Sequence, residues 1–186
     1  MLLKEISQIS IGILKNREFN KDGKNQYEFF NLKDYEENTG IIEVVRADKD
    51  FEAKKIKKGD LIFRLIYPNK VILVDDKIQG MLIPSQWCLI RLDENLINPT
   101  YLKWYLESEE GKNQILTNIT GSTIQKISVD SLRNLDIPLI DIKKQNNIED
   151  LIKLWEKEKK TIIKILENKE LLYNDIIKEI IEKEVK

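Results

Sequence analysis

From Asp141 to Lys186 the chain has neither glycine nor proline, although seven glycines and four prolines occur before that point. Within this tail, positions 148, 152, 155, 159, 162, 166, 169, 173, 176 and 180 read Ile, Ile, Trp, Lys, Ile, Leu, Lys, Tyr, Ile, Ile. A spacing that alternates four and three, with only two charged members, is the seam of a coiled coil. About 42 helical residues at ~1.5 Å each make a rod of roughly 60 Å, far longer than a small domain can cover. An apolar edge of that length needs another helix beside it. No second long helix is visible in the sequence, so the expected partner is another copy of the chain or a helix of a different subunit. The residues expected to carry the dimerisation are Ile148, Ile152, Trp155, Ile162, Leu166, Tyr173, Ile176 and Ile180.

The texture before Asp141 is different, which divides the chain into a domain over 1–140 and a helix over 141–186. Ile41–Val45 is rich in β-branched residues. Gly59-Asp60 is a turn ahead of Leu61–Ile66, a strand stopped by Pro68-Asn69, and Val71–Val74 follows. Met81–Ile83 and Trp87–Leu92 read as further strands. Asn98-Pro99 is a cap with proline at the first helical position, and Tyr101, Leu102, Tyr105 and Leu106 recur at helical spacing. A second helix is expected over about Glu109–Ile119, ending at Gly121, and a short one capped by Ser128. Before proline, Asp136-Ile137 is expected to be extended. The fold class expected is α+β: a small mixed or antiparallel-sheet domain followed by one long C-terminal coiled-coil helix.

Composition removes several functions. There is no histidine, so the commonest general base and metal ligand is missing. The single cysteine, Cys88, excludes an intrachain disulfide and a cysteine-built zinc site, and its apolar neighbours mark it as a small buried hydrophobe. No apolar run approaches a membrane span and the first residues are no signal peptide, so the expected location is cytoplasmic, without membrane association. A net charge of −1 gives no global attraction for nucleic acid; any such binding needs a local basic surface.

Several segments, in order, resemble the specificity subunits of Type I restriction–modification enzymes. Lys57-Lys58-Gly59-Asp60-Leu61-Ile62-Phe63-Arg64 is similar to the family's glycine-aspartate strand entry, and Ile83-Pro84-Ser85 with Ile90-Arg91-Leu92 to the strand pair after it. Pro99-Thr100-Tyr101-Leu102 through Leu106 resembles a helix motif. Gly121-Ser122-Thr123-Ile124-Gln125-Lys126-Ile127-Ser128 resembles the family's Gly-Ser-Thr segment, and Leu135-Asp136-Ile137-Pro138-Leu139 with Gln145 its junction to a conserved helix. Ile140 stands where a second proline is usual, and Ile124-Gln125 lacks a proline often found in that loop. Full-length members carry two recognition domains and two helices, against one of each here.

The resemblance implies a half-subunit whose copies pair helices antiparallel and read a split palindrome on double-stranded DNA. It also implies a partner modification methyltransferase, extending to a restriction/translocase subunit. The chain itself would need no cofactor, S-adenosylmethionine belonging to the methyltransferase, and would perform no catalysis. Residue chemistry then picks two clusters for DNA contact: Arg64, Tyr67, Asn69 and Lys70 near a hairpin tip, and Gly121, Ser122, Thr123, Gln125 and Lys126 in the glycine loop. Arginine and amides reach base edges, while lysines, hydroxyls and backbone N–H groups hold phosphates.

Plainer roles compete with each. A Gly-Ser-Thr loop also ends a helix, Arg64 suits a surface ion pair, and Lys54, Lys55, Lys57 and Lys58 suit a solvated face. Trp87, Trp104 and Trp155 suit core or helix-seam packing. Two rival functions remain: a coiled-coil adaptor whose head binds protein, and a magnesium-dependent nuclease built on Asp60 and Asp75-Asp76-Lys77. Turn aspartates account for the nuclease pattern equally well.

Overall fold

The computed structural model describes residues 1–121 and 123–184. Four strands, β1 (Ser7–Ile11), β4 (Leu61–Arg64), β5 (Val71–Leu73) and β6 (Trp87–Leu92), form an antiparallel sheet in the order β1-β6-β4-β5. The register places Ile9 opposite Ile90, Phe63 opposite Cys88 and Leu61 opposite Leu73. In the central strands Leu61, Ile62, Phe63, Trp87, Cys88, Leu89 and Ile90 are all buried. Polar residues do not alternate there because both faces are covered, which is why these segments read as continuous apolar runs.

A separate two-stranded ribbon pairs β2 (Asn25–Phe29) with β3 (Glu43–Ala47). Its inner face, Tyr27, Phe29, Val45 and Ala47, packs with Ile13, Phe51 and Leu82. A second cluster gathers Phe30, Ile56, Ile62, Ile72, Val74 and Trp87, with Phe30 and Trp87 edge to face at 5.4 Å. Each such side chain contributes about 1.5–3 kcal/mol on burial, and these two clusters fix the sheet and ribbon.

Helix α3 (Pro99–Glu107) starts where Asn98 accepts from Thr100 and Tyr101, and α4 (Glu109–Thr117) follows after Ser108. A Cβ on Gly111 would lie 2.1 Å from the Tyr105 carbonyl oxygen, so only glycine lets the helices meet so closely. After α4 come the hairpin β7 (Ile119–Thr120) and β8 (Lys126–Ile127), then α5 (Val129–Arg133), capped by Ser128. Of two short helices, α1 (Lys15–Glu18) precedes β2 and α2 (Leu32–Glu37) lies in the connection from β2 to β3.

Four expectations need correction. The strand expected at Ile41 begins at Glu43, because Glu43 pairs with the end of β2 while Asn38 and Gly40 turn the chain with positive φ; Ile41 and Ile42 are exposed. Met81–Ile83 is no ladder strand. Ile56 donates to Met81, Phe30 to Leu82 and Ile13 to Ile83, so its carbonyls serve three separate segments. The helix expected to reach Ile119 stops at Thr117, and Ile119 enters β7 opposite Ile127. Trp104 is not core: it is 48% exposed and stacks on Tyr101 at 6.3 Å.

The last element, α6 (Ile142–Glu184), is 43 residues long, about 65 Å at helical rise. Asp141 accepts from the Lys143 N–H at its start. By its contacts the chain divides into 1–145 and 146–186. In the first unit Gln145 is fully buried: its Oε1 accepts from Asn98 N–H (2.8 Å), and its amide donates to the carbonyls of Leu96 (3.1 Å) and Ile140 (2.7 Å). In the second unit Ile148 and Ile152 are half-buried, whereas Trp155, Ile162, Leu166, Tyr173, Ile176 and Ile180 are exposed. Among the described residues no helix is long and apolar enough to cross a membrane.

Candidate nucleic-acid interface

Two hairpins that lie far apart in sequence meet along one edge. The connection between β4 and β5 turns through Tyr67-Pro68-Asn69, closed by Arg64 N–H to the Lys70 carbonyl at 2.8 Å. The Asn69 amide donates to the carbonyls of Arg64 (2.9 Å) and Leu65 (3.3 Å). Across from it, Tyr67 N–H donates to the Gln125 carbonyl and Ile127 N–H to that of Leu65, with Ile66 bridged to Lys126. The loop carrying Thr123 and Gln125 therefore extends the turn carrying Tyr67. Gly121 opens that loop at φ +104, and a Cβ there would lie 2.3 Å from the Ile124 carbonyl oxygen. Glycine is the residue that this backbone requires.

The sequence-selected residues separate by role. Tyr67, Thr123, Gln125 and Lys126 are exposed, as is Ile124 between them. Asn69 is engaged in closing its own turn, and Lys70 pairs with Glu36 of α2, which leaves both less free to meet DNA. Ser122 lies outside the described residues.

Arg64 points elsewhere. It lines a cleft of about 480 Å³ with Lys15, Asn31, Lys33, Gln86 and Trp87, whereas Tyr67, Asn69 and Lys70 line another with Leu106, Lys112 and Leu116. Among the described residues Arg64 makes no ion pair, and its Nε is buried without a hydrogen-bond partner. A buried donor left unmatched is costly, and an acceptor brought into the cleft would relieve it. Glu36, Glu37 and Glu43 stand on the same rim, with Glu36 matched to Lys70 and Glu43 to Lys15. Lys15, Asn31, Lys33 and Gln86 escaped the sequence reading because three separate segments contribute them.

The carboxylates of the nuclease pattern have other occupations. Asp60 is buried and accepts from Arg91 Nε (2.9 Å), Arg91 Nη2 (2.7 Å) and Lys57 N–H (2.7 Å). That partner holds the Arg91 guanidinium above its ordinary pKa, chiefly through the hydrogen bond. Asp75 accepts from Lys77 N–H and the Tyr35 hydroxyl, and Asp76 pairs with Lys58. Tyr35 is raised by burial and then by the charge of Asp75. No cluster of three or more potential metal ligands occurs among the described residues. Of the lysine run, Lys55 pairs with Glu52 and Lys58 with Asp76, so half of it is neutralised locally.

No protein-family model and no curated protein matches this chain. Solved structures do. The S subunit of a Type I restriction–modification system from M. genitalium is 19% identical with a TM-score of 0.56, over 84% of this chain and 38% of that one. The HsdS subunit from Thermoanaerobacter tengcongensis is 16% identical with a TM-score of 0.66, over 87% and 43%. A chain from a structure addressing complex assembly and conformational transition of the type I R-M system is 16% identical, TM-score 0.66, over 89% and 43%. The present chain thus spans about two fifths of the length of these proteins. Its α+β head and long helix are the fold of Type I restriction–modification specificity subunits, the family that its sequence motifs resemble.

Proposed function

We propose that this chain is a DNA sequence-recognition subunit of a Type I restriction–modification system, a non-catalytic half-subunit acting as a homodimer. The reading rests on one observation above the others: a head with the specificity-subunit fold is continuous with a helix whose seam, from Trp155 to Ile180, is exposed. Burying that seam against a second copy would hold two identical heads a fixed distance apart. Two identical readers require identical half-sites, hence a split palindrome on double-stranded DNA. Bond-making would belong to a partner methyltransferase carrying S-adenosylmethionine, with a restriction/translocase subunit joining the same assembly. Of the two predicted clusters, the exposed Tyr67, Thr123, Gln125 and Lys126 would meet DNA along the joined hairpins, and Arg64 would do so only through its own cleft.

The test is methylation mapping in cells that carry this chain with its methyltransferase. The expected result is modification at one split palindrome, absent when this chain is deleted. An unchanged methylation pattern on deletion sinks the proposal. Binding of the purified chain to mixed duplexes across a salt series separates it from an adaptor: DNA affinity should fall steeply with salt, with a slope of about −0.9 per phosphate contacted, while a protein-binding head shows no DNA affinity.

A further inference from the structure

The β2–β3 ribbon has one face in the core and one in solvent. Alternation along the two strands puts Gln26 and Glu28 on the solvent side of one, and Val44 and Arg46 on that of the other, all four exposed. Register makes them two cross-strand pairs, Gln26 opposite Arg46 and Glu28 opposite Val44. Among the described residues no side-chain hydrogen bond or ion pair engages Gln26, Glu28 or Arg46. Their neighbour Asn25, by contrast, donates to the carbonyls of Asp48 and Lys49. The face is therefore polar, ordered by its backbone ladder, and uncommitted to the protein.

From these observations, and on the footing of the DNA-reading function above, we infer that the β2–β3 ribbon enters the DNA major groove with Gln26 and Arg46 as base-reading residues. A two-stranded ribbon, its strands ~4.8 Å apart, fits a groove about 12 Å wide. The side chains it presents are those that the groove distinguishes. Arginine reads guanine O6 and N7, glutamine reads adenine N6 and N7, glutamate accepts from cytosine N4, and an apolar group meets the thymine methyl. Val44, half exposed among polar neighbours, fits the last of these roles.

Two lysines stand at the ribbon's margin, beside the acidic Asp22 and Asp48. Lys24 immediately precedes β2, and Lys21 adjoins Asn20, whose N–H donates to the Arg46 carbonyl on the edge of β3 away from β2. Neither lysine has an ion-pair partner among the described residues, whereas Lys15, Lys49, Lys55, Lys58 and Lys70 do. Free cations at the ribbon's margin suit the phosphates that wall a groove.

The experiment is selection of duplexes from a randomised pool by the full chain, repeated with Gln26→Ala, Arg46→Ala and a Lys21→Ala/Lys24→Ala control. All these positions are exposed, and thermal unfolding verifies that each variant folds as the parent does. The parent should enrich one motif. Gln26→Ala and Arg46→Ala should relax that motif at one or two base pairs, with about a 5- to 100-fold loss on the parental site. The lysine control should weaken all duplexes alike and lower the salt slope by about two, with the motif intact. If the parent enriches a motif and both reading variants recover it unchanged, the ribbon assignment is wrong while the DNA-reading function stands. If the parent enriches none, the function itself fails and takes the ribbon with it.

Discussion

The head and the long helix solve the problem of apolar surface in opposite ways. In 1–145, most large hydrophobics are buried within the unit, and buried polar groups such as Asp60 and Gln145 are matched. In 146–186 no described hydrophobic residue is buried, and Leu151, Trp155, Leu166 and Tyr173 are each at least 60% exposed. Isolated exposed hydrophobics are ordinary; a periodic stripe of them along tens of ångströms marks an interaction surface. The head is thus expected to be stable by itself, while the helix owes its stability to a partner.

The most severe way to break that contrast is to charge the seam. Ile162→Lys with Leu166→Lys and Ile176→Lys should weaken self-association at least ~100-fold and lower helix content, because each buried ammonium would lack a partner. Circular dichroism over a concentration series checks this, and the head's own unfolding transition should stay in place. The reverse experiment is Trp87→Ala, which empties the centre of the sheet beside Phe30. It should cost the head about 3–5 kcal/mol by denaturant unfolding while leaving association unchanged.

A finer cut falls at the first turn of α6. Gln145→Leu removes partners from the Asn98 N–H and from the Leu96 and Ile140 carbonyls, and should cost about 2–3 kcal/mol in the same denaturant assay.

The last effect is absent at neutral pH and sets in only above about pH 9. Burial pushes the Cys88 thiol up to about 12 from an ordinary 9.0. A raised folded-state value contributes stability that is complete below about pH 9 and is lost as pH climbs toward 12, at up to ~1.4 kcal/mol per unit. Cys88→Ala should therefore flatten the alkaline limb of head stability between those values. In the parent, the native thiol should resist thiol reagents at neutral pH.

Legibility in sequence followed the range of the interactions. The long helix could be read because a seam period and the lack of glycine and proline are local properties. So could β6, as a dense apolar run, and α3, by its Asn98-Pro99 start. The ribbon could not: Gln26-Tyr27-Glu28-Phe29 alternates for only four residues, and its partner strand begins two positions after the run that advertised it. Trp104 misled because an aromatic at helical spacing does not say which face of α3 it occupies. At the candidate interface, composition picked out both loops, but their meeting depends on Ile66 and Lys126 pairing across sixty residues of chain. That Asn69 and Lys70 are engaged within the protein, while Arg64 is not, depends on side chains placed by α2 and the turn itself.

Light scattering of the full chain, followed down a dilution series, tests the pairing of helices directly. The expected mass is about twice the 22.0 kDa of one chain, falling toward one chain only on dilution or when the seam is charged. A single-chain mass at every concentration, with the helix still formed, would contradict a twin-built rod.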